Sequence, residues 1–177
     1  MTSGANIGIV INMANFPELP KRMLCSRTAR INTPVNRGEP DPNTLELPAY
    51  HTTGSAGFDL RSVEAVCIPR GERAVLRTGV AIALPAGTVG LICPRSGLAI
   101  KHGVTVLNAP GVIDSDYRGE LHVPLINHGS RCFIAVGDRI AQLVIVPVIQ
   151  VELVEVDGEE ALGKTARGAK GLGSTGR

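Results

Sequence analysis

The sequence predicts an all-β protein, a jelly-roll-like barrel or sandwich of short strands with one short helix. Hydrophobic residues make up 44% of the chain but aromatics only 3%, so the core must be built from Val, Ile, Leu and Ala. Val and Ile are stiff at χ1 and favour strands. The 21 glycines and 12 prolines punctuate the chain often enough for many turns. Between them the apolar segments are short and evenly spaced, as in a sandwich or jelly roll. A length of 177 residues suits one well-buried core rather than two.

Residues 1–43 show no sustained periodicity and read as a flexible N-terminal extension; residues 44–160 read as the β domain and 161–177 as a glycine-rich arm. Ile7–Ile11 is too short an apolar run for a signal peptide. Phe58 and Leu60 flank Asp59 in strand alternation, which points Asp59 away from its apolar neighbours. Further strands are expected at Val63–Ile68, Arg73–Arg77 and Val80–Leu84, with turns at Pro69–Glu72 and Pro85–Gly87. Thr88–Cys93 reads as an apolar strand ending at Pro94, followed by a short helix with Ser96 as N-cap.

Leu107–Glu120 reads as a short hairpin. Asn108, Pro110 and Gly111 break the chain, Val112 and Ile113 form strand, Asp114-Ser115-Asp116 turns, and Tyr117-Arg118 begins the return. In Leu121–Asn127, Pro124 lacks a ladder donor and is expected at an edge or bulge. Cys132–Val136 is the next strand, and Gly137-Asp138-Arg139 turns into Ile140–Ile149. That last run is apolar on both faces, so the second face is expected against another subunit. Gln142 is its polar exception and must find a partner, either within the core or on a ligand.

Several classes are disfavoured. A net charge of +2 is too small to argue for a nucleic-acid surface. No apolar run approaches a membrane span. Cys25, Cys67, Cys93 and Cys132 stand apart without a CxxC pair, the pattern of reduced thiols in an intracellular, cytoplasmic protein. His122 and His128 are too isolated for a metal site.

The polar residues that remain suit a nucleotide. A planar base on a sugar needs amide and backbone hydrogen bonds, a ring face and an acceptor, and the 107–120 segment carries Asn108, Tyr117 and Asp114. Arg95 and the Ser96 hydroxyl at a helix start form a compact phosphate site. The arm from Ala166 to Arg177 is too rich in glycine to pack. It reads either as a linker or as a phosphate-wrapping lid with Arg167, Lys170, Ser174 and Thr175 as donors. Taken singly, each feature is also an ordinary surface turn, cap or tail.

Five segments in this order resemble the homotrimeric dUTPase family: Ala56–Leu60, Pro94–Ala99, Gly111–Gly119, Gly137–Leu143, and Arg167-Gly168 through Gly173–Gly176. The resemblance covers roughly residues 45–177 and implies a β jelly roll whose C-terminal arm is exchanged between the subunits of a trimer with three shared active sites. It implies hydrolysis of dUTP to dUMP and pyrophosphate with Mg²⁺ on the triphosphate. That reaction limits uracil incorporation into DNA and supplies dUMP for thymidylate synthesis. By position, Asp114 resembles the residue that activates the attacking water, and Asp59 the carboxylate that reaches the metal through water. Tyr117 resembles the ring under deoxyribose that excludes a 2′-hydroxyl. Asn108, Gly111 and Ile113 resemble the uracil-reading hairpin; Arg95, Ser96, Gly97 and Gln142 the phosphate contacts; Arg167, Leu172, Gly173, Ser174 and Thr175 the contacts of the arm.

Two positions depart from the family. The arm usually carries Gly-Gly and then an aromatic residue, where this chain has Lys170-Gly171-Leu172. A leucine does not stack on uracil as a ring does. The related dCTP deaminases place a catalytic Glu on the strand after the hairpin; the matching position here is Pro124, which carries no acid or base. A non-catalytic nucleotide-binding regulator of the same fold is the remaining alternative.

Overall fold

The computed structural model describes residues 23–27, 40–157 and 163–170. Within them the chain forms ten strands, one α-helix and one 3-10 turn (Pro42–Thr44): β1 (Leu24–Arg27), β2 (Gly57–Arg61), β3 (Val66–Ile68), β4 (Arg73–Ala83), β5 (Thr88–Cys93), α1 (Ser96–His102), β6 (Val104–Val106), β7 (Gly111–Ile113), β8 (Glu120–Asn127), β9 (Cys132–Ile134) and β10 (Arg139–Pro147). One sheet runs β1-β4-β8-β6, the second β2-β10-β5-β7, and β3-β9 forms a two-stranded flap. All pairings are antiparallel. The expected all-β, jelly-roll-like architecture is the one observed.

Period-two alternation sets the core. Leu121, Val123 and Leu125 of β8 face inward with Leu76 and Ile82 of β4, and meet Phe58, Leu60, Ile92 and Leu143 from the second sheet. Full burial of each such side chain contributes about 1.5–3 kcal/mol. Truncating Leu125, which has no exposed surface, would cost roughly 2–5 kcal/mol. Asn127 is fully buried at the end of β8 but satisfied: Nδ2 donates to the Ile68 and Ser130 carbonyls and Oδ1 accepts from Gly129 N–H. It ties β8 to the flap.

Several sequence expectations change. The strands expected at Arg73–Arg77 and Val80–Leu84 are one strand, β4, interrupted by a bulge where its register against β8 shifts between Arg77 and Ala81. Gly79 sits in that bulge at φ +67°, a conformation a Cβ disfavours. The expected Val63–Ile68 strand begins only at Val66, because the Ser62 hydroxyl bonds locally with Glu64 and turns the chain. The Cys132–Val136 strand ends at Ile134. Ser96 is not the helix N-cap; Arg95 holds that position without a side-chain cap bond, its guanidinium going to Asp59 instead.

The segment 107–120 is not a hairpin. β7 pairs with β5 in one sheet, whereas β8 pairs with β4 and β6 in the other, so the chain crosses between sheets there. The return strand starts at Glu120 rather than Tyr117. Pro124 lies within β8, a strand paired on both sides, and not at an edge. Its carbonyl accepts from Leu107 N–H at 2.8 Å, just past the end of β6. In an antiparallel strand a residue's N and O point the same way, so the missing donor falls where no ladder partner needs it.

Four residues of the expected flexible extension, Leu24–Arg27, form β1 on the edge of the first sheet, paired with Val80–Ala83. β10 stops at Pro147, short of Ile149. Its inner face is fully buried at Ala141 and Leu143, and Val144 and Val146 are half-buried. No disulfide joins Cys25, Cys67, Cys93 and Cys132, of which Cys132 is buried and the others half-buried. Burial pushes the Cys132 thiol upward, with the Asp138 charge adding to it.

Candidate functional site

Two polar clusters lie on the second sheet and its margin. The first forms across β2, β10 and β5, where Asp59, Gln142 and Cys93 are register neighbours in one row. β5 ends there, and Pro94 directs the chain into α1. Arg95 Nε donates to Asp59 Oδ1 at 2.8 Å, and its Nη1 donates to the Arg139 carbonyl at 3.1 Å. Arg139 Nη1 approaches the other Asp59 oxygen at 3.4 Å. Gln142 Nε2 donates to the Pro94 carbonyl at 3.0 Å, which gives its half-buried amide a partner. Ser96 and Gly97 open α1 beside Arg95 and are exposed. A carboxylate between two guanidiniums, at a strand-to-helix corner, is a patch with one net positive charge, able to take phosphate oxygens on the arginines.

The second cluster forms where the chain crosses from β7 to β8. Val112, Ile113, Asp114, Tyr117, Glu120, Leu121 and His122 line an open pocket of ≈ 190 Å³. A turn closes from Tyr117 N–H to the Asp114 carbonyl at 3.1 Å, presenting the Asp114 carboxylate to solvent. Tyr117 is 41% exposed, and its hydroxyl donates to the Glu120 carbonyl at 2.9 Å. Asn108 lies over Gly111, close enough that a Cβ there would touch its amide at 3.4 Å. Gly111 and Ile113 are fixed by pairing with Ile92 and Gly90 of β5.

Glu120 is the best-anchored charge nearby. Oε2 accepts from Arg77 Nη2 at 2.9 Å and Nε at 3.2 Å, and Oε1 accepts from Gly79 N–H at 2.8 Å. Burial opposes its ionisation, but the Arg77 and Gly79 hydrogen bonds and the charges of Arg77 and His122 outweigh it and hold the carboxyl below its usual range. The pairing raises Arg77 in turn.

Within one chain Asp114 and Arg95 stand apart. Asp114 follows Ile113, the partner of Gly90, whereas Arg95 lies past Cys93 at the far end of β5. About six residues of extended strand, roughly 20 Å, separate the two levels. Arg167 lies in an exposed segment, where its Nε donates to the Lys170 carbonyl at 3.1 Å. Leu172, Gly173, Ser174 and Thr175 lie outside the described residues.

The family model for dUTPase matches residues 43–176. The chain belongs to the dUTPase family. It is 52% identical over 151 residues to a deoxyuridine 5′-triphosphate nucleotidohydrolase of Anaeromyxobacter sp. (strain Fw109-5), covering 85% of this chain and 98% of that protein. It is 56% identical over 132 residues to the same-named protein of Nautilia profundicola, covering 74% and 91%. Among solved structures, a variant dUTPase of Staphylococcus bacteriophage 80alpha with dUpNHpp aligns at a TM-score of 0.70 and 27% identity, over 89% of this chain and 100% of that one. A variant dUTPase of phage phi11, described with a structural Mg(II) ion, aligns at 0.65 and 26%, over 78% and 99%.

In this dUTPase-family chain three residues near the clusters were missed by sequence reasoning: Arg139, Arg77 and Glu120. Arg139 stands two residues after the Gly137 turn and had a readable charge, but its aim at Asp59 depends on the register break after it. Arg77 and Glu120 are 43 positions apart, and nothing local joins them.

Proposed function

We propose that this chain hydrolyses dUTP to dUMP and pyrophosphate, using a site shared between copies in a homotrimer. The observation that carries the reading is an exposed aspartate and a phenol ring on one pocket at the β7–β8 crossing, with an amide over Gly111 at the start of β7, in a chain of this family. Asn108 and the backbone from Gly111 to Ile113 read uracil. The Tyr117 ring packs under deoxyribose, where a 2′-hydroxyl would have no room. Asp114 accepts a proton from water, whose oxygen attacks the α-phosphorus; the α–β anhydride bond breaks and pyrophosphate leaves. Arg95, Ser96, Gly97 and Gln142 hold phosphate oxygens and neutralise developing charge. Residues 44–160 form the catalytic domain. Residues 161–177 serve as the arm, in which Arg167, Leu172, Gly173, Ser174 and Thr175 close over the nucleotide.

The residues present fit Mg²⁺ carried by the triphosphate. Asp59 keeps a carboxylate 29% exposed, enough for an outer contact through water. Among the described residues no group of three or more His, Cys, Asp or Glu offers a protein cage. Mg²⁺ takes oxygen ligands and retains several waters, so one carboxylate beside phosphates suffices. When bound it would neutralise phosphate charge.

The separation of Asp114 from Arg95 within one chain supports the shared site. So does the exposed apolar segment after β10, where Ile149 is 80% and Leu153 is 92% exposed; such surface calls for a partner. Deamination of dCTP is disfavoured because Pro124 stands where that chemistry needs a glutamate. The test is release of dUMP and pyrophosphate from dUTP, set beside dCTP, dTTP and UTP. Turnover of dUTP alone is expected, lost in Asp114→Asn with nucleotide binding retained. Binding without turnover in the wild type would favour a regulator instead.

A further inference from the structure

The backbone of Tyr117 is tied into its turn, while its side chain is anchored through the hydroxyl. Its ring folds back over Gly119, where a Cβ would overlap the phenol, and its hydroxyl hangs on the Glu120 carbonyl. That carbonyl also lies 3.1 Å from His122 Nδ1, and a carbonyl oxygen has lone pairs for both. The position of the ring therefore depends on how firmly Glu120, the first residue of β8, is placed.

Glu120 is placed by β4 and not by its neighbours in sequence. Its carboxylate fills the bulge at Gly79, taking that N–H and both Arg77 donors. Arg77 is itself fixed at the backbone, where its N–H donates to Glu64 Oε1 at 3.2 Å. The Arg77 guanidinium leaves no atom in the pocket lining, so its influence on the ring runs through Glu120.

We propose that Arg77 is a positioning residue for sugar selection, which locks Glu120 so that the Tyr117 ring stays where it rejects a 2′-hydroxyl. This rests on the reading of Tyr117 as the sugar-facing ring. A bidentate guanidinium–carboxylate contact restricts orientation as well as distance, which a single amide N–H does not. Loss of Arg77 leaves Glu120 held by the Gly79 N–H and by its strand pairing with Ala81 at the bulge, so its carbonyl is less firmly placed and the phenol that hangs on it moves.

The experiment compares kcat/KM for dUTP and UTP in wild type, Arg77→Met, Arg77→Lys, Tyr117→Phe and the double variant Arg77→Met/Tyr117→Phe. Arg77→Met is expected to reduce the dUTP-over-UTP ratio by about fivefold to tenfold, the loss of roughly one hydrogen bond's selectivity. The dUTP-over-dCTP ratio should hold, Arg77→Lys should recover part of the loss, and Arg77→Met should add nothing once Tyr117 is Phe. An unchanged sugar ratio, or equal falls in sugar and base ratios, overturns the proposal. The chain has two tyrosines, so a Tyr50→Phe background with fluorotyrosine gives one ¹⁹F resonance from Tyr117. That resonance should shift in Arg77→Met and return toward its place in Arg77→Lys; a resonance indifferent to Arg77 also overturns it. Absence of dUTP turnover in the wild type would sink the reading of the site, while the ¹⁹F comparison would still decide whether Arg77 governs the ring.

Discussion

Arg95 and Asp59 meet at 2.8 Å across the end of β5 and the middle of β2, and the guanidinium that would otherwise sit free at a helix start is committed to that carboxylate. In the proposed reaction the same two groups serve opposite charges, Arg95 a phosphate and Asp59 a hydrated cation. Each therefore keeps the other oriented, and removing either disturbs both tasks.

Asp59→Asn keeps the shape and removes the charge. Its expected effect is a 10–100-fold weaker apparent affinity for Mg²⁺, the usual scale for an outer contact to a metal. Titration of Mg²⁺ at fixed dUTP reads it. A titration superimposable on wild type would exclude Asp59 from the metal's surroundings.

Because Asp114 and Arg95 stand at opposite ends of β5–β7 in one chain, inactive variants should complement. Asp114→Asn is expected to lose about 10²–10⁴ in kcat, and Arg95→Ala to lose substrate binding. Unfolded and refolded together, they should regain turnover from about a quarter of the sites in randomly mixed assemblies. Mixtures no more active than their separate components would place both residues in one subunit's site.

The Glu120 carboxyl is held below its usual range in the folded protein. Its pairing therefore contributes stability that is complete above the ordinary glutamate value of 4.5 and is lost as pH falls through the depressed folded value. Tm measured from neutral to acid pH should fall more steeply below that point in wild type than in Glu120→Gln, which starts lower and lacks this component. Parallel curves would mean the carboxylate gains nothing from Arg77.

Leu172→Phe restores the aromatic residue common in the arm of this family. Stacking on a base is worth about 1–3 kcal/mol, so KM for dUTP should fall by roughly tenfold, or closure should quicken and raise kcat. Steady-state kinetics check this, and constants equal to wild type would mean position 172 does not meet the base.

Alternation, turns and composition made the fold class readable, because strand periodicity and glycine–proline punctuation are local consequences of backbone sterics. β5 and the burial of Phe58 and Leu60 around Asp59 came out as expected. The ordered motifs contain Asp59, Arg95, Gln142, Asp114 and Tyr117, but gave no role to Arg139 or Glu120, which the structure sets beside them. The 107–120 segment shows where local reading stops: turn chemistry looks alike whether a chain doubles back to its neighbour or crosses to another sheet, and only pairing with β5 on one side and β4 on the other distinguishes them.

What the amino-acid order determined was therefore which residues could do chemistry and which could pack. The tertiary structure decided which of them share a surface. It set Asp59 beside Arg95 and Arg139, put Glu120 into the bulge of β4, and kept Asp114 remote from Arg95. Those outcomes depend on strand register, and register is a contest among pairings distant along the chain, in which a shift of one residue reverses every side chain's face.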